Sequence, residues 1–251
     1  MNRERIILRE NFDRDGGVPD AWWVEGGQRV WVEAGRLHVK ADAGVDKAPA
    51  CPEALRGSGV CTVWNKMPFG GDVRVTFDAH VVGSTIDANN INLFLFYSDP
   101  SGAPLFDTRD ERRSAGYDLY HNLNGYIVTF LNDTETMTGQ SLRARLRLRR
   151  CPGFKLVAET FGYHCRRGVT YHVEVVRRGG RITYAVDGHV LLDWAEPESL
   201  CPIQQHDGTV PDSGTVPADR TDPEPLKAGY LGFRTYRTDL WWASLRVTAL
   251  D

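Results

Sequence analysis

The chain has 251 residues, 41% of them hydrophobic and 25% charged, with a formal net charge of −3. That balance is the one expected of a soluble globular protein, and a chain this long buries roughly three quarters of its unfolded surface without staples. It provides no general field for nucleic acid or an anionic membrane, and no run approaches the ~18 apolar residues that mark a membrane helix.

The first ten residues, Met1 to Glu10, are charged throughout and lack the apolar stretch of a secretory signal, so a cytoplasmic location is expected. Helical periodicity is almost absent. Short segments instead alternate apolar and polar residues with period two, which puts their side chains on opposite faces of a sheet. Arg29-Val30-Trp31-Val32-Glu33 and Arg36-Leu37-His38-Val39-Lys40 flank Ala34-Gly35 and read as a hairpin. Strands are expected at 73–82, 90–97, 125–131 and 142–150. Further on, Gly179-Gly180 and Asp187-Gly188 supply tight turns between three short alternating segments, an antiparallel meander. A last strand is expected at 241–247. Between 204 and 225 the pattern lapses into Asp, Thr, Gly and Pro, which reads as a long surface loop. Strands joined by turns and never by helices mean a sandwich or barrel. One domain over 1–251 is expected: an all-β jelly-roll sandwich of two antiparallel sheets.

Cys51, Cys61, Cys151, Cys165 and Cys201 are scattered, odd in number and without CxxC spacing. They argue for reduced, mostly buried thiols and against a disulfide framework or a zinc knot.

The stretch 109–126 gathers Arg109, Arg112, Arg113, Tyr117, Tyr120, His121, Asn122 and Asn124 beside an expected strand. Histidine moves protons near neutral pH, and a tyrosine beside a cation serves as acid or base. A uronate lyase needs a group to neutralise the sugar carboxylate, a base for the C5 proton and an acid for the leaving oxygen. Arg113 or Asn124 suits the first role, His121 or Tyr120 the others. Neighbouring residues on an extended segment point opposite ways, so Tyr120 and His121 share a cleft only if the chain bends there. Asn124 and Tyr126, two apart, share a face. Arg143, Arg145, Arg147 and Arg149 alternate with Ala144, Leu146 and Leu148. Period two stands the four guanidiniums on one face, where they suit an acidic polysaccharide if that face is concave and are simply solvated if it is convex. Among the tryptophans, Trp194 and one of Trp241 and Trp242 read as core, and Trp64 reads as a platform for a sugar ring.

Several signatures are missing: a nucleotide loop, HExxH, a GxSxG elbow, and the Glu-x-Asp-x-(x)-Glu strand of jelly-roll glucanases. No cofactor is expected, apart from a structural Ca²⁺ conceivable between Glu10, Asp13 and Asp239, whose carboxylates are hard oxygen ligands.

The order Tyr184-Ala-Val-Asp187-Gly188, Asp193-Trp194, Gly232-Phe233-Arg234 and a Trp-rich closing strand resembles the concanavalin-like lectin/glucanase superfamily. Within it, Leu105-Phe106-Asp107, Arg113, Tyr120-His121, Asn124-Gly125-Tyr126 and Leu148-Arg149-Arg150 followed by Gly153-Phe154 resemble the YesU-like proteins. The resemblance spans roughly residues 10 to 248, and the 204–225 loop is longer than that pattern. It implies a jelly roll and a role beside pectin and rhamnogalacturonan degradation, with Arg149 inside the family-like motif. Two functions follow. One is an enzyme acting on acidic or rhamnose-containing oligosaccharides by elimination or hydrolysis; the other is a lectin-like module without catalysis. Either has an oligosaccharide or polysaccharide as its partner. The site expected is Tyr120 and His121 as proton-transfer groups, with Arg113, Asn124, Arg149, Trp64, Tyr126 and Arg147 holding the sugar.

Overall fold

The computed structural model describes residues 5–42, 59–133, 143–196 and 226–250. The loop expected at 204–225, Cys51 and Cys201 lie outside these residues. The described chain folds as two antiparallel sheets of eight strands each. In chain order the strands are β1 (Arg5–Glu10), β2 (Trp22–Gly26), β3 (Arg29–Glu33), β4 (Arg36–Lys40), β5 (Val60–Asn65), β6 (Phe69–Gly70), β7 (Val73–Gly83) and β8 (Ile91–Ser98). They continue with β9 (Asn124–Asp133), β10 (Arg143–Cys151), β11 (Lys155–Phe161), β12 (Thr170–Arg178), β13 (Arg181–Val186), β14 (His189–Ala195), β15 (Ala228–Tyr236) and β16 (Asp239–Ala249). Two single turns of 3₁₀ helix, Arg109–Arg112 and Tyr117–Tyr120, are the only helical elements among the described residues. No helix there is long and apolar enough to cross a membrane.

The first sheet runs β14-β13-β12-β7-β16-β4-β3, with β1 paired to β16; the second runs β11-β10-β9-β8-β15-β5-β2, with β6 paired to β15. Alternation decides which face of each strand is buried. On β7, Val73, Val75, Phe77, Ala79 and Val81 point into the sandwich; on β10, Ala144, Leu146 and Leu148 do. Phe233 of β15 binds the two layers, stacked on Trp242 at 4.9 Å, edge-on to Phe77 at 5.0 Å and parallel to Trp22 at 6.0 Å. Cys61, Cys151 and Cys165 are free and buried.

Two of the three carboxylates considered for calcium, Glu10 and Asp239, accept hydrogen bonds from neighbouring groups. Glu10 accepts from the Phe12 amide and the Trp22 indole, and Asp239 accepts from the amides of Ala41 and Asp42. No group of three metal-binding side chains occurs among the described residues.

Candidate functional site

The register of the second sheet lines up polar side chains on its outer face. Glu25 pairs with Thr62, Thr62 with Arg234, Arg234 with Asn92, Asn92 with Thr129, Thr129 with Arg147, and Arg147 with Glu159. One row thus crosses from β2 to β11. An adjacent row is mostly aromatic or apolar: Trp64, Gly232, Phe94 and Ile127, ending at Arg149. Gly232 is required there, because a Cβ would come within 2.5 Å of the Trp64 ring.

The segment between β8 and β9 folds over this face. Its anchor is Glu25, only 1% exposed. One carboxylate oxygen accepts from the Trp23 indole at 3.2 Å and ion-pairs with the Arg112 guanidinium at 3.3 Å. The other accepts from the Trp64 indole at 2.9 Å and the Tyr120 hydroxyl at 2.6 Å. Four partners on one buried carboxylate compensate its lost hydration. The backbone follows: the Arg113 carbonyl accepts from the Gly26 amide, and the Ala115 carbonyl accepts from the buried Arg234. Over β2, β5 and β15 the face is therefore plugged.

Beyond the plug the row continues into a polar patch with an aromatic wall. The Tyr117 ring lies 4.8 Å from the Arg234 guanidinium, and its hydroxyl reaches the Thr129 side chain. Tyr117 meets His121 and Phe154 edge-on at 5.1 and 5.0 Å. His121 stacks on Phe154 at 3.7 Å, and the Arg149 guanidinium lies 4.1 Å from the same ring while donating to the Phe154 carbonyl. Arg145 and Arg147 both reach Glu159, with 14% and 20% of their side-chain surface exposed. They lie along the face instead of extending into water.

The surroundings tune these groups. Burial lowers His121 below its usual range, with Asp118 opposing and Arg149 and Arg234 adding to the effect. The lowering favours the neutral imidazole, and its Nε2 is enclosed without a hydrogen-bond partner. Burial raises the Tyr117 phenol, while Arg234, Arg149 and Arg147 pull it back. Burial and then Glu25 hold Tyr120 well above the usual phenol range.

The expected residues divide accordingly. Tyr117 to His121 does bend, as a 3₁₀ turn, and it sends Tyr120 inward and leaves His121 half-buried at the wall. Tyr120 is fully buried and donates to Glu25, so it braces the plug and has no open path to a substrate proton. Trp64, expected as a platform, is 0% exposed beneath the plug and presents no face to solvent. Arg113 is exposed, and the arginine turned inward is Arg112, one step away on the preceding 3₁₀ turn. Asn124 is half-buried and donates to Ser98, at the end of β9 nearest the aromatic row. Tyr126 points the other way, into the sandwich, where its hydroxyl donates to Glu196; the reversed Gly125 between it and Asn124 packs against the Tyr97 ring. Arg147, Arg149 and His121 are brought together. Glu25 was not singled out from the sequence, and Arg234 entered only within the Gly232-Phe233-Arg234 motif with no site role; the parity of β2 and β15 is what puts both on this face.

The family described as Domain of unknown function (DUF1961) matches residues 5–233. No curated protein matches the chain. A protein of unknown function with a galectin-like fold from Bacillus subtilis is 18% identical with a TM-score of 0.70, the match covering 100% of this chain and 99% of that one. The endo-beta-1,3-glucanase from Pyrococcus furiosus is 11% identical with a TM-score of 0.55, covering 100% and 96%. The carbohydrate binding module CBM66 from Bacillus subtilis is 10% identical with a TM-score of 0.51, covering 92% and 98%. At such identities the likeness is one of fold.

Proposed function

We propose that this chain, which belongs to the DUF1961 family of domains of unknown function, recognises acidic carbohydrate on the outer face of its second sheet. The observation that carries the reading is the cluster of Arg147 and Arg149 beside the half-exposed wall of Tyr117, His121 and Phe154. Guanidinium takes a carboxylate bidentately, and rings give a sugar an apolar surface. The YesU-like motifs and their pectin-associated company support a uronate-bearing ligand, as does the fold shared with a glucanase and a carbohydrate binding module.

Catalysis by elimination is favoured over hydrolysis by a specific feature. Glycoside hydrolysis uses two carboxyl groups roughly 5–10 Å apart. The carboxylates in the polar row, Glu25 and Glu159, stand on β2 and β11 at opposite edges of the path, some ~29 Å apart at about 4.8 Å per strand. Elimination needs no such pair. In this reading Arg149 holds the uronate carboxylate and makes the C5 hydrogen acidic. Neutral His121 takes that proton, and the Tyr117 phenol protonates the departing oxygen. Each transfer contributes about 10²–10⁴ in rate.

The test is incubation with oligogalacturonides and other uronate oligosaccharides, followed by mass spectrometry and ultraviolet absorbance. Elimination gives an unsaturated product and no added water. Products carrying one added water would replace elimination with hydrolysis. Binding without any product would leave the lectin-like reading, and no binding to any acidic sugar would refute the proposal.

A further inference from the structure

The outer face of the first sheet carries a second row. Trp31 on β3 pairs with His38 on β4, His38 with Trp241 on β16, and Trp241 with His80 on β7. Trp31 stacks on His38 at 4.9 Å and Trp241 on His80 at 5.0 Å, with interplanar angles of 14° and 2°. Each indole also carries an arginine: Arg29 at 4.5 Å from Trp31 and Arg36 at 4.5 Å from Trp241. The same Arg–Trp–His stack is thus built twice, side by side. Both indoles are half-exposed, and both arginines and Lys40 are exposed.

A guanidinium laid on an indole keeps its rim of N–H donors open, and the stacking reduces its freedom before any ligand arrives. The nearby carboxylates keep their charge but make no ion pair with it, although Glu33 stands opposite Arg36 in the register. Glu33 accepts from the Trp31 indole, Asp78 pairs with His172, and Asp239 takes the Ala41 and Asp42 amides. Among the described residues no ion pair engages Arg29, Arg36 or Lys40. Burial keeps His38 and His80 below their usual range, so at neutral pH the positive charge belongs to the arginines and the lysine. The indoles stand two strands apart, about 10 Å at the usual strand spacing, so the receptors suit charges repeated along an extended chain.

We infer that the face formed by β3, β4, β16 and β7 is a second, separate binding site for a polyuronate chain, with Arg29 and Arg36 gripping its carboxylates. This site shares no residue with the Arg147–Arg149 face, and its ligand class rests on the acidic-carbohydrate reading proposed for that face. A neutral sugar fits less well, because each indole is already faced by a histidine and an arginine.

Affinity electrophoresis through gels containing polygalacturonate, a neutral glucan or duplex DNA tests the inference on the whole chain. The variants are Arg29→Gln with Arg36→Gln, Trp31→Ala with Trp241→Ala, and Arg149→Ala. The first two pairs are expected to weaken polygalacturonate retention at least tenfold with melting temperature unchanged in the arginine pair, while Arg149→Ala leaves substantial retention. Retention that is absent in the parent, unchanged in the arginine pair, or abolished by Arg149→Ala alone would overturn the second site. Stronger retention by DNA that the same pairs remove would overturn the ligand class, and equal retention by the neutral glucan would overturn the role of charge.

Discussion

Replacing Glu25 with glutamine leaves the shape of the side chain almost unchanged and alters its chemistry completely. The carboxylate accepts from Trp23 Nε1 at 3.2 Å, Trp64 Nε1 at 2.9 Å and Tyr120 Oη at 2.6 Å, and it neutralises Arg112 at 3.3 Å. In Glu25→Gln one oxygen becomes an NH₂ group, which faces donors whichever way the amide turns. One orientation sets it against Trp64 and Tyr120, the other against Trp23 and Arg112. Only Tyr120 has a hydroxyl able to reverse and accept. At least one buried donor is then orphaned, at about 1–3 kcal/mol, and the buried Arg112 charge loses its counter-ion, for which breaking a buried pair costs about 3–5 kcal/mol. These terms overlap, so the expected loss is about 3–5 kcal/mol in all. Urea denaturation followed by tryptophan fluorescence measures it directly, since Trp23 and Trp64 border the site. Native-state proteolysis should cut the 105–123 segment faster in the variant than in the parent. A loss under ~1 kcal/mol would refute the idea that Glu25 anchors the plug.

Gly232→Ala should cost about 1–3 kcal/mol by overpacking against the Trp64 ring, read as a lowered melting temperature; a neutral outcome would mean the ring moves freely. Burial pushes Glu196 from its ordinary 4.5 up to about 7, while the Leu226 amide and the buried Arg150 guanidinium 3.5 Å away favour the carboxylate. Its folded state therefore prefers the proton, so the stability this group contributes is present below pH 4.5 and lost as pH rises through about 7. Denaturation midpoints of the parent should fall relative to Glu196→Gln across that window, and parallel pH profiles would contradict it. With Arg29→Gln and Arg36→Gln already in place to silence the other face, adding Arg149→Ala should weaken capture of uronate oligosaccharides at least tenfold in calorimetry with little change in melting temperature; unchanged affinity would move the ligand off this face.

The strands with one wet face were legible. The hairpin at 29–40, the strand at 73–82 and the meander from 171 to 194 all show alternation, and the structure places β3, β4, β7, β12, β13 and β14 there. Two strands covered on both faces, β5 and β2, were not, although β8 and β9, covered likewise, were expected at 90–97 and 125–131. Val60–Asn65 is buried at nearly every position and Trp22–Gly26 at most of them, because the core lies on one side and the plug on the other, and burial on both sides erases period two. The same double cover explains the reading of Trp64 as exposed: its strand gives no hint that a segment some 50 residues later folds over it. The interval between Arg112 and Arg113 shows another limit. Local sequence has no phase marker for a single 3₁₀ turn, so which of two adjacent arginines faces inward depends on Glu25, nearly ninety positions away.

The plug also has a directional consequence. By filling the outer face over β2, β5 and β15, it turns what would be a through-channel into a cul-de-sac. On β8 and β9 the outward-facing Asn92, Phe94, Ile127 and Thr129 are buried too, so the accessible part of this face is the strip of β10 and β11 beside the Tyr117, His121 and Phe154 wall. A polymer threading across this strip from the β11 edge runs into Tyr117 and must stop there. Should this face prove to take acidic sugar, the expected preference is for chain ends over chain interiors, and a comparison of short oligosaccharides with end-blocked polymer measures it.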